Sequence, residues 1–478
     1  MKLYNSESRK VEEFVPINGN NVNLYTCGPT VYHFAHIGNL RSYIMEDILE
    51  RTLTHLGYNV KRAMNITDVG HLSSDGDSGE DKMLIGAKRE NKTVLQIAAE
   101  YTEAFKQDCA KLNLAWPKIV VPATSCVDEY IRIISTLLEK GYAYKNNGNI
   151  YFDTSKLDNY YRFGNQNADD MVVGAREDVD EDSNKKNKND FVLWFTKSKF
   201  ENQALKWDSP WGVGYPGWHI ECTGISLKYL GEDLDIHCGG IDNKFPHHTN
   251  EIAQTESCIG HKWCRNWFHV EHLNTKNGKM SKSKGGFLTL TKLQEMGYSP
   301  LVYKFFCLQS HYRKQLVFSE EAIDSAKSAY TKLIKRISNI QEDGSEFNQD
   351  KFNEFKEKFN AALANDLNTS FAITVLFDVL KSDISNGTKI ALIKDFDMVF
   401  NLDLVKALDG NFVEEENNQQ VEVSAEFAAY IESMIEKRTQ AKQQKDYATA
   451  DAIRNELAQQ GVELVDTKEG TTYSIKNV

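Results

Sequence analysis

The chain lacks the long apolar runs of membrane proteins and the paired cysteines of disulfide-stabilised proteins. No stretch of its 478 residues approaches the roughly 18 consecutive apolar residues that a membrane span needs. The opening stretch MKLYNSESRKVEEF contains no apolar core of a secretion signal. The eight cysteines are scattered without a tight CxxC pair, which is typical of reduced thiols. We therefore expect a cytoplasmic protein without membrane contact, in which any functional cysteine is a metal ligand or a nucleophile.

The chain also lacks an excess of positive charge. Its formal net charge is −12, which at first argues against a nucleic-acid partner. Binding follows the local field more than the total charge, however, and basic clusters do occur, as in KNGKMSKSK, KSAYTKLIKR and EKRTQAKQQK. Any one of these clusters could equally be a solvated helix face or surface loop, so charge alone leaves an RNA partner open.

Strand-like and helix-like stretches alternate in the first two thirds of the chain. NVNLYTC and YNVKRAMNIT are typical of strands, and NLRSYIMEDILERTLTHLG between them is typical of an amphipathic helix. LDIHCGG, HHTNEIAQTESCIG and NWFHVEHLN repeat the strand–helix–strand pattern. These two βαβ halves predict an α/β fold with a doubly wound parallel, Rossmann-like sheet, whose binding site lies at the carboxyl ends of the strands. Cys27 and Thr67 would stand at the ends of neighbouring strands.

The length of the chain predicts two or three domains. We assign an α/β domain to residues 1–318, interrupted by an insertion at about 110–215. An α-helical region follows, with a helical bundle over 319–408 and a small terminal domain over 425–478. The charged stretch 174–190 is interpreted as a surface insertion or mobile loop.

The segment HIGN, His36 to Asn39, would open the helix that follows the first strand. A glycine at a helix entrance lets backbone N–H groups approach an anion, and the helix N-terminus favours negative charge there. His36 and Asn39 would add side-chain donors. A turn with a capping asparagine explains the same four residues at least as well.

The segment KMSKS, Lys279 to Ser283, is bordered by glycines. Two lysines three residues apart, Lys279 and Lys282, can close over a polyphosphate and neutralise charge in a transition state. The alternative is a basic surface loop.

Candidate metal ligands are spread over three segments. Cys222 lies in WHIEC, while His247 and Glu251 are four residues apart, on one face of the predicted helix. Together with Cys27 they offer thiolate, imidazole and carboxylate groups, which suit Zn²⁺. The gaps between them are too long for the sequence alone to assemble the site, and a hydrogen bond on the helix surface is an equal alternative for His247 and Glu251. The chain lacks the H-E-x-x-H arrangement of zinc hydrolases.

HIGN and KMSKS together resemble the two signatures of the class I aminoacyl-tRNA synthetases. The resemblance narrows to the cysteinyl-tRNA synthetases through TCGPTVY, WDSPWGVGYPGWHIEC, DIHCGGIDNKFPHHTNEIAQ and the tail AKQQKDYATADAIRNELAQQGVELVDTKEGT. It implies that one zinc ion is held by the four candidate ligands. It also implies that Gly28, Thr67 and Trp218 surround the amino acid, although Gly28 could simply form a tight turn and Trp218 could simply pack in the core.

The resemblance further places Gly240 and Asp242 beside the adenosine of ATP. The ATP site would also include His36, Asn39, Lys279, Ser281 and Lys282, among which His36, Asn39, Lys279 and Lys282 are the candidate catalytic residues. The sequence departs from the family pattern at Asn39, where the signature has a second histidine, and in a long segment after Thr67.

The implied activity is the attachment of L-cysteine to tRNA(Cys) through a cysteinyl-adenylate, with ATP and Mg²⁺ as further reactants. The implied protein is a monomer whose residues 425–478 bind the anticodon region. Two alternatives stay open at this point. A related ligase of the mycothiol pathway joins cysteine to an amino-sugar, and a non-enzymatic RNA-binding protein could use zinc only for stability.

Overall fold

The computed structural model describes residues 1–69, 82–163, 182–197, 205–275, 278–279, 287–410, 425–444, 446–459, 462–467 and 470–475. The chain divides into two compact units, residues 1–412 and 413–478. Among the described residues, no helix is both long enough and apolar enough to span a bilayer.

Strands and helices alternate through the first unit. Its strands are β1 (Lys2–Asn5), β2 (Lys10–Glu13), β3 (Asn21–Thr26), β4 (Asn59–Ile66), β5 (Ile119–Pro122), β6 (Ala143–Asn146), β7 (Asn149–Phe152), β8 (Phe191–Phe195), β9 (Tyr215–Pro216), β10 (Leu234–Gly240), β11 (Cys264–Val270), β12 (Leu273–Thr275), β13 (Gly278–Lys279) and β14 (Leu316–Phe318). Its helices are α1 (Ile37–His55), α2 (Lys82–Glu90), α3 (Val94–Lys111), α4 (Val127–Glu139), α5 (Trp218–Leu230), α6 (His247–Ile259), α7 (Leu290–Glu295), α8 (Pro300–Leu308), α9 (Glu320–Ser338), α10 (Gln349–Ala364), α11 (Thr369–Lys381), α12 (Asn386–Phe400) and α13 (Leu404–Leu408).

The central sheet contains five strands in the order β11-β10-β3-β4-β5. All four neighbouring pairs are parallel. The units β3-α1-β4 and β10-α6-β11 are the two predicted halves, and β3 and β10 are neighbours where the halves meet. The carboxyl ends of strands at such a reversal of strand order form a ligand-binding crevice. The prediction of a doubly wound α/β fold is confirmed.

A separate antiparallel sheet, in the order β6-β7-β8-β9, follows β5 and the helix α4. The end of the charged stretch 174–190 is fixed to this sheet. The buried Asp190 carboxylate accepts hydrogen bonds from the backbone and the hydroxyl of Thr154, both at 2.8 Å, and from Tyr144 at 2.8 Å. Residues 174–181 of this stretch lie outside the described residues, so its interpretation as a surface insertion or mobile loop stays a prediction, while Asp190 at its end has its charge satisfied inside the protein.

Arg41 of α1 joins that helix to a small third sheet, in the order β13-β12-β14. Its buried guanidinium donates to the carbonyl oxygens of Glu271 and His272, which precede β12, both at 2.7 Å. It also donates to the carbonyl oxygens of His311 at 3.4 Å and Lys314 at 2.7 Å, which precede β14. One side chain thus fixes the start of both parallel strands of this sheet to α1.

The helices α9 to α13 pack into the same hydrophobic core as the α1 side of the central sheet. The fully buried Lys304 of α8 donates to the carbonyl oxygens of Asn113 and Asn401, both at 3.3 Å, and its ammonium lies 3.9 Å from Asp47. The helices α9 to α13 lie within 319–408, the stretch that was predicted to be α-helical. The boundaries proposed for the three domains and for the insertion stay predictions.

The second unit contains two helices and a hairpin. They are α14 (Ala425–Gln443), α15 (Tyr447–Gln459), β15 (Val462–Thr467) and β16 (Gly470–Ile475), the two strands being antiparallel. Its own small core consists of six buried side chains: Ile431, Met434, Ile453, Leu457, Val462 and Leu464. These elements lie within 425–478, the stretch to which a small terminal domain was assigned.

Candidate active site and metal cluster

Cys27 lies directly after β3, at the centre of the sheet. Its N–H donates to the carbonyl oxygen of Cys238 at 3.2 Å, so the backbone is still paired with β10 at this point. A Cβ atom added to Gly28 would lie 1.6 Å from the carbonyl oxygen of Asn65, and the side-chain oxygen of Asn65 accepts the Gly28 N–H at 2.7 Å. Only glycine fits this approach, so Gly28 is required by packing whatever else it contacts.

His36 is the N-cap of α1. Its Nδ1 accepts a hydrogen bond from the backbone N–H of Asn39 at 3.1 Å, in the middle of the HIGN segment. Because Nδ1 is the acceptor, the ring proton is on Nε2, which is then the donor atom of the neutral imidazole. The two residues therefore form the entrance of a helix, as the sequence indicated, and the histidine performs the capping that the sequence suggested for asparagine.

The four predicted metal ligands lie together. Cys222 comes from α5, His247 and Glu251 from one face of α6, and Cys27 from the end of β3, and their ligand atoms all lie within 4.8 Å of one another. The two sulfur atoms are 4.0 Å apart, and Cys222 Sγ lies 3.5 Å from His247 Nε2. Tetrahedral zinc with Zn–S bonds of about 2.3 Å places two sulfurs about 3.8 Å apart. The spacing of these atoms therefore suits a zinc ion.

The charges in this cluster favour a bound cation. Burial alone would raise the pKa of the Cys222 thiol, but its hydrogen bond with Cys27 and the charge of His247 lower that pKa to about 6. Burial and the same hydrogen bond raise the pKa of Cys27. Burial disfavours the Glu251 carboxylate too, yet the charges of His237 and His247 lower its pKa to about 2. Glu251 Oε1 is buried and lies 3.0 Å from His247 Nε2, so these two candidate ligand atoms face each other within the cluster.

The residues expected around the amino acid line the same cavity, whose volume is 390 Å³. The indole of Trp218 stacks on the imidazole of His247, with ring centres 4.1 Å apart and planes 9° apart. The buried Thr67 hydroxyl donates to Glu221 at 2.7 Å and accepts from Asn65 at 3.0 Å. Burial raises the pKa of Glu221 well above its usual range. Thr67 and Trp218 therefore lie beside the cluster, and each is held there by a contact with a neighbouring side chain.

The residues expected around ATP are only partly described. His36, Asn39, Gly240 and Asp242 all line the cavity that contains the metal cluster. Asp242 Oδ1 also lies 2.9 Å from His272 Nε2. The KMSKS segment begins at Lys279, the last residue of β13, whose backbone pairs with Asn274 of β12. Ser281, Lys282 and the side chain of Lys279 lie outside the described residues, so their roles stay predictions.

A buried carboxylate on α1 completes the cavity wall. Glu46 is fully buried and lines the cavity, and its Oε2 lies 3.4 Å from Arg62 Nη2. Burial raises the pKa of Glu46 to about 8, against the opposing charge of Arg62. Arg62 also donates to Glu50 at 3.1 Å and to the hydroxyl of Thr26 at 3.2 Å. This network lies beneath the strand end that bears Cys27.

The catalytic part of the chain matches a sequence family. A family described as "tRNA synthetases class I (C) catalytic domain" matches residues 13–328. A cysteine–tRNA ligase of Treponema denticola is 43% identical over 99% of both chains. A cysteine–tRNA ligase of Borreliella burgdorferi is 42% identical over 98% of both chains.

The chain belongs to the cysteine–tRNA ligase family. A solved methionyl-tRNA synthetase of Mycobacterium tuberculosis, bound by methionyl-adenylate, superposes with a TM-score of 0.54, covering 81% of this chain and 94% of that one. At 14% identity this likeness concerns the fold alone. The resemblance drawn from HIGN, KMSKS and the surrounding segments is confirmed at the level of the family.

Within this cysteine–tRNA ligase fold, sequence reasoning missed a set of histidines. His248 Nε2 lies 3.3 Å from Cys27 Sγ, and His237 Nε2 lies 2.8 Å from Glu251 Oε2. Cys27, His237, His248 and Glu251 form a second group whose ligand atoms lie within 4.8 Å of one another. The only signals were a second histidine beside His247 and a histidine inside the apolar strand β10, and neither signal shows which face the ring takes.

Proposed function

We propose that this protein attaches L-cysteine to tRNA(Cys) in two ATP-dependent steps through a cysteinyl-adenylate. The observation that carries the proposal is a single cavity whose wall contains both a candidate metal cluster and a helix entrance that can bind an anion. A cluster of Cys27, Cys222, His247 and Glu251 offers thiol selection, while the helix entrance at His36 and Asn39 offers anion binding. Relatives that are about two-fifths identical over the full chain bear the same name as this activity.

Zinc is the metal we propose for the cluster. Two thiols, an imidazole and a carboxylate form a ligand set that suits Zn²⁺ in proteins, and their ligand atoms lie within 4.8 Å of one another. A bound zinc ion would supply an electrophilic site that ionises a thiol far more readily than an alcohol. A purely apolar pocket separates such similar side chains only about 10–200-fold. The donor set thus supports discrimination of cysteine from serine without a separate editing domain.

The chain's own residues would position the reactants. Thr67 is fixed by Asn65 and Glu221 at the floor of the cavity, and Trp218 covers one face of His247. Both side chains line the cavity beside the cluster. His36 Nε2 and the N-terminus of α1 would donate to the ATP phosphates, joined by Lys279 and Lys282 of KMSKS.

Both steps balance without redox chemistry. In the first, a carboxylate oxygen of cysteine forms a bond to the α-phosphorus of ATP, and the bond to the bridging oxygen breaks as pyrophosphate leaves. In the second, a hydroxyl of the terminal ribose of tRNA attacks the acyl carbon, and AMP leaves. Positioning and charge stabilisation are the main tasks of the protein in such transfers. We propose that Mg²⁺ accompanies ATP and that the protein acts as a monomer.

Cysteine-dependent exchange of pyrophosphate into ATP tests the first step. Exchange should require cysteine, should be far weaker with serine, and should be followed by charging of tRNA(Cys). Equal exchange with serine would contradict thiol selection by the cluster. Exchange followed by transfer to an amino-sugar rather than to tRNA would contradict the proposed second substrate.

A further inference from the structure

An aromatic cluster lies at the part of the cavity wall formed by the turn between β3 and α1. Phe34 in this turn lines the cavity and is 46% exposed. Its ring meets Tyr101 of α3 edge to face, with ring centres 4.9 Å apart and planes 89° apart. His33 lies parallel to the same tyrosine at 6.0 Å, and Phe287 meets His33 edge-on at 4.7 Å. The Phe34 ring also meets His33 edge to face, with ring centres 5.9 Å apart and planes 83° apart, and its exposed part is open to a ligand.

Hydrogen bonds and close packing with α2 hold the aromatic cluster in place. The Tyr101 hydroxyl donates to Glu90 and accepts from Arg89 at 3.1 Å. Arg89 also donates to the carbonyl oxygen of Tyr32 at 3.0 Å, within the turn that bears Phe34. A Cβ atom on Gly86 would lie 2.9 Å from that same carbonyl, so α2 packs directly against the turn. A preorganised aromatic ring loses little entropy when a planar ligand stacks on it.

The neighbouring surface of α2 is basic. Lys88 and Arg89 are exposed at its carboxyl end and Lys92 lies just beyond it; Glu90 pairs with Arg89 and Lys92, and Glu100 pairs with Lys92, so part of this charge is neutralised. Aromatic rings beside lysine and arginine side chains are the arrangement that binds single-stranded nucleic acid, because bases stack and phosphates pair with cations. The chemistry of the surface therefore fits an unpaired nucleotide with its chain of phosphates.

We propose that Phe34, supported by Tyr101 and His33, is the stacking platform for the terminal adenosine of the tRNA. This inference rests on the proposed function. ATP carries the same base, and His36 of its expected site lies two residues from Phe34 and lines the same cavity, but the residues expected around the adenosine and those packed against Phe34 come from opposite sides of β3. Gly240 ends β10 on one side of β3, whereas α2 and α3 connect β4 to β5 on the other side.

A pair of tRNA(Cys) transcripts, one ending in CCA and one ending in CC, tests the platform by binding alone. The wild-type protein should bind the CCA form more tightly by roughly 5- to 150-fold, the range expected for one stacked base. Phe34→Ala should abolish most of this difference, and Phe34→Trp should retain it. Phe371→Ala removes another half-exposed phenylalanine, 52% exposed on α11, and serves as the matched control. Equal preference for the CCA form in wild type and Phe34→Ala would overturn the platform.

Kinetic measurements distinguish a role of Phe34 in binding tRNA from a role in binding ATP. In Phe34→Ala, kcat/KM for tRNA in charging should fall about 5- to 150-fold more than kcat/KM for ATP in pyrophosphate exchange. Equal losses, with a raised KM for ATP, would assign the ring to ATP and refute the proposal. The binding comparison does not depend on cysteine activation. If the wild-type protein failed to activate cysteine, the proposed function would be contradicted. Binding of the two transcripts would still test the stacking platform.

Discussion

His219 and His247 face each other through their Nδ1 atoms at 3.0 Å, and both side chains are buried. Since His247 directs Nε2 toward Cys222 and Glu251, its Nδ1 must carry the proton when Nε2 binds a metal. His219 then accepts that proton's hydrogen bond. A residue outside the ligand set therefore determines the tautomer of a ligand.

Removal of this partner should weaken zinc binding without removing a ligand. His219→Ala should lower zinc affinity by about 10–100-fold, the usual cost of losing an outer partner of a metal-bound histidine. Competition with a chelator measures it. His261→Ala, an exposed histidine just beyond α6, is the control and should leave affinity unchanged. Unchanged affinity in the His219 variant would mean that the contact does not orient His247.

Loss of a zinc ligand should lower zinc affinity more than loss of His219 does. We expect one zinc per chain, and Cys222→Ser should lower zinc content and cysteine-dependent exchange together, with affinity reduced more than about 100-fold because a direct bond is lost. Cys258→Ser changes another buried thiol, on α6 but outside the cluster, and should retain zinc. Full zinc occupancy of the Cys222 variant in elemental analysis would remove Cys222 from the site.

Lys282 should act mainly in the activation step. As the second lysine of KMSKS it should contact phosphates chiefly while the α-phosphorus is attacked, so Lys282→Ala should slow adenylate formation about 10²–10³-fold. Zinc content and cysteine binding should stay intact. Transfer from preformed adenylate to tRNA should suffer less, because pyrophosphate has already left. Rapid-quench measurement of both steps decides, and equal losses in each would indicate a general folding role.

Glu46 should make stability depend on pH. Its pKa is raised from 4.5 to about 8 in the folded protein, so between these values the folded state keeps a proton that the unfolded chain has lost. Stability should therefore fall as pH rises from 4.5 to 8. Glu46→Gln should lack this term, and its stability relative to wild type should increase from pH 5 to pH 9 by at most on the order of 5 kcal/mol.

Urea unfolding at pH 5, 7 and 9 measures this difference. Glu50→Gln, which removes the other carboxylate on Arg62, is the matched comparison for the lost ion pair. Parallel pH profiles for wild type and Glu46→Gln would show that Glu46 ionises normally.

The second unit should serve tRNA rather than activation. Deletion of residues 411–478 should leave cysteine-dependent exchange nearly intact and lower charging by more than about tenfold, which corresponds to about 1.4 kcal/mol of binding. A cut before residue 320 would be a poor test, since α9 to α13 share the core of the catalytic half. Undiminished charging after deletion of 411–478 would contradict an anticodon role for this unit.

The sequence predicted the parts of the fold that depend on local pattern. β3, α1 and β4 follow from alternation and helical periodicity, and the spacing of His247 and Glu251 placed both on one helix face. The histidine set around Glu251 was not predictable, because the partners of a buried polar side chain are decided by tertiary packing. The same holds for α9 to α11, whose periodicity predicts helices but does not show that their apolar faces join the core under α1.

Arg41 holds the chain on both sides of the KMSKS segment, although the two contacts are far apart in sequence. The carbonyls that it binds precede β12 and β14, so the segment from His272 to His311 is fastened near both ends to one guanidinium on α1. The described chain on both sides of the KMSKS segment is therefore held to α1, the helix that the HIGN segment opens.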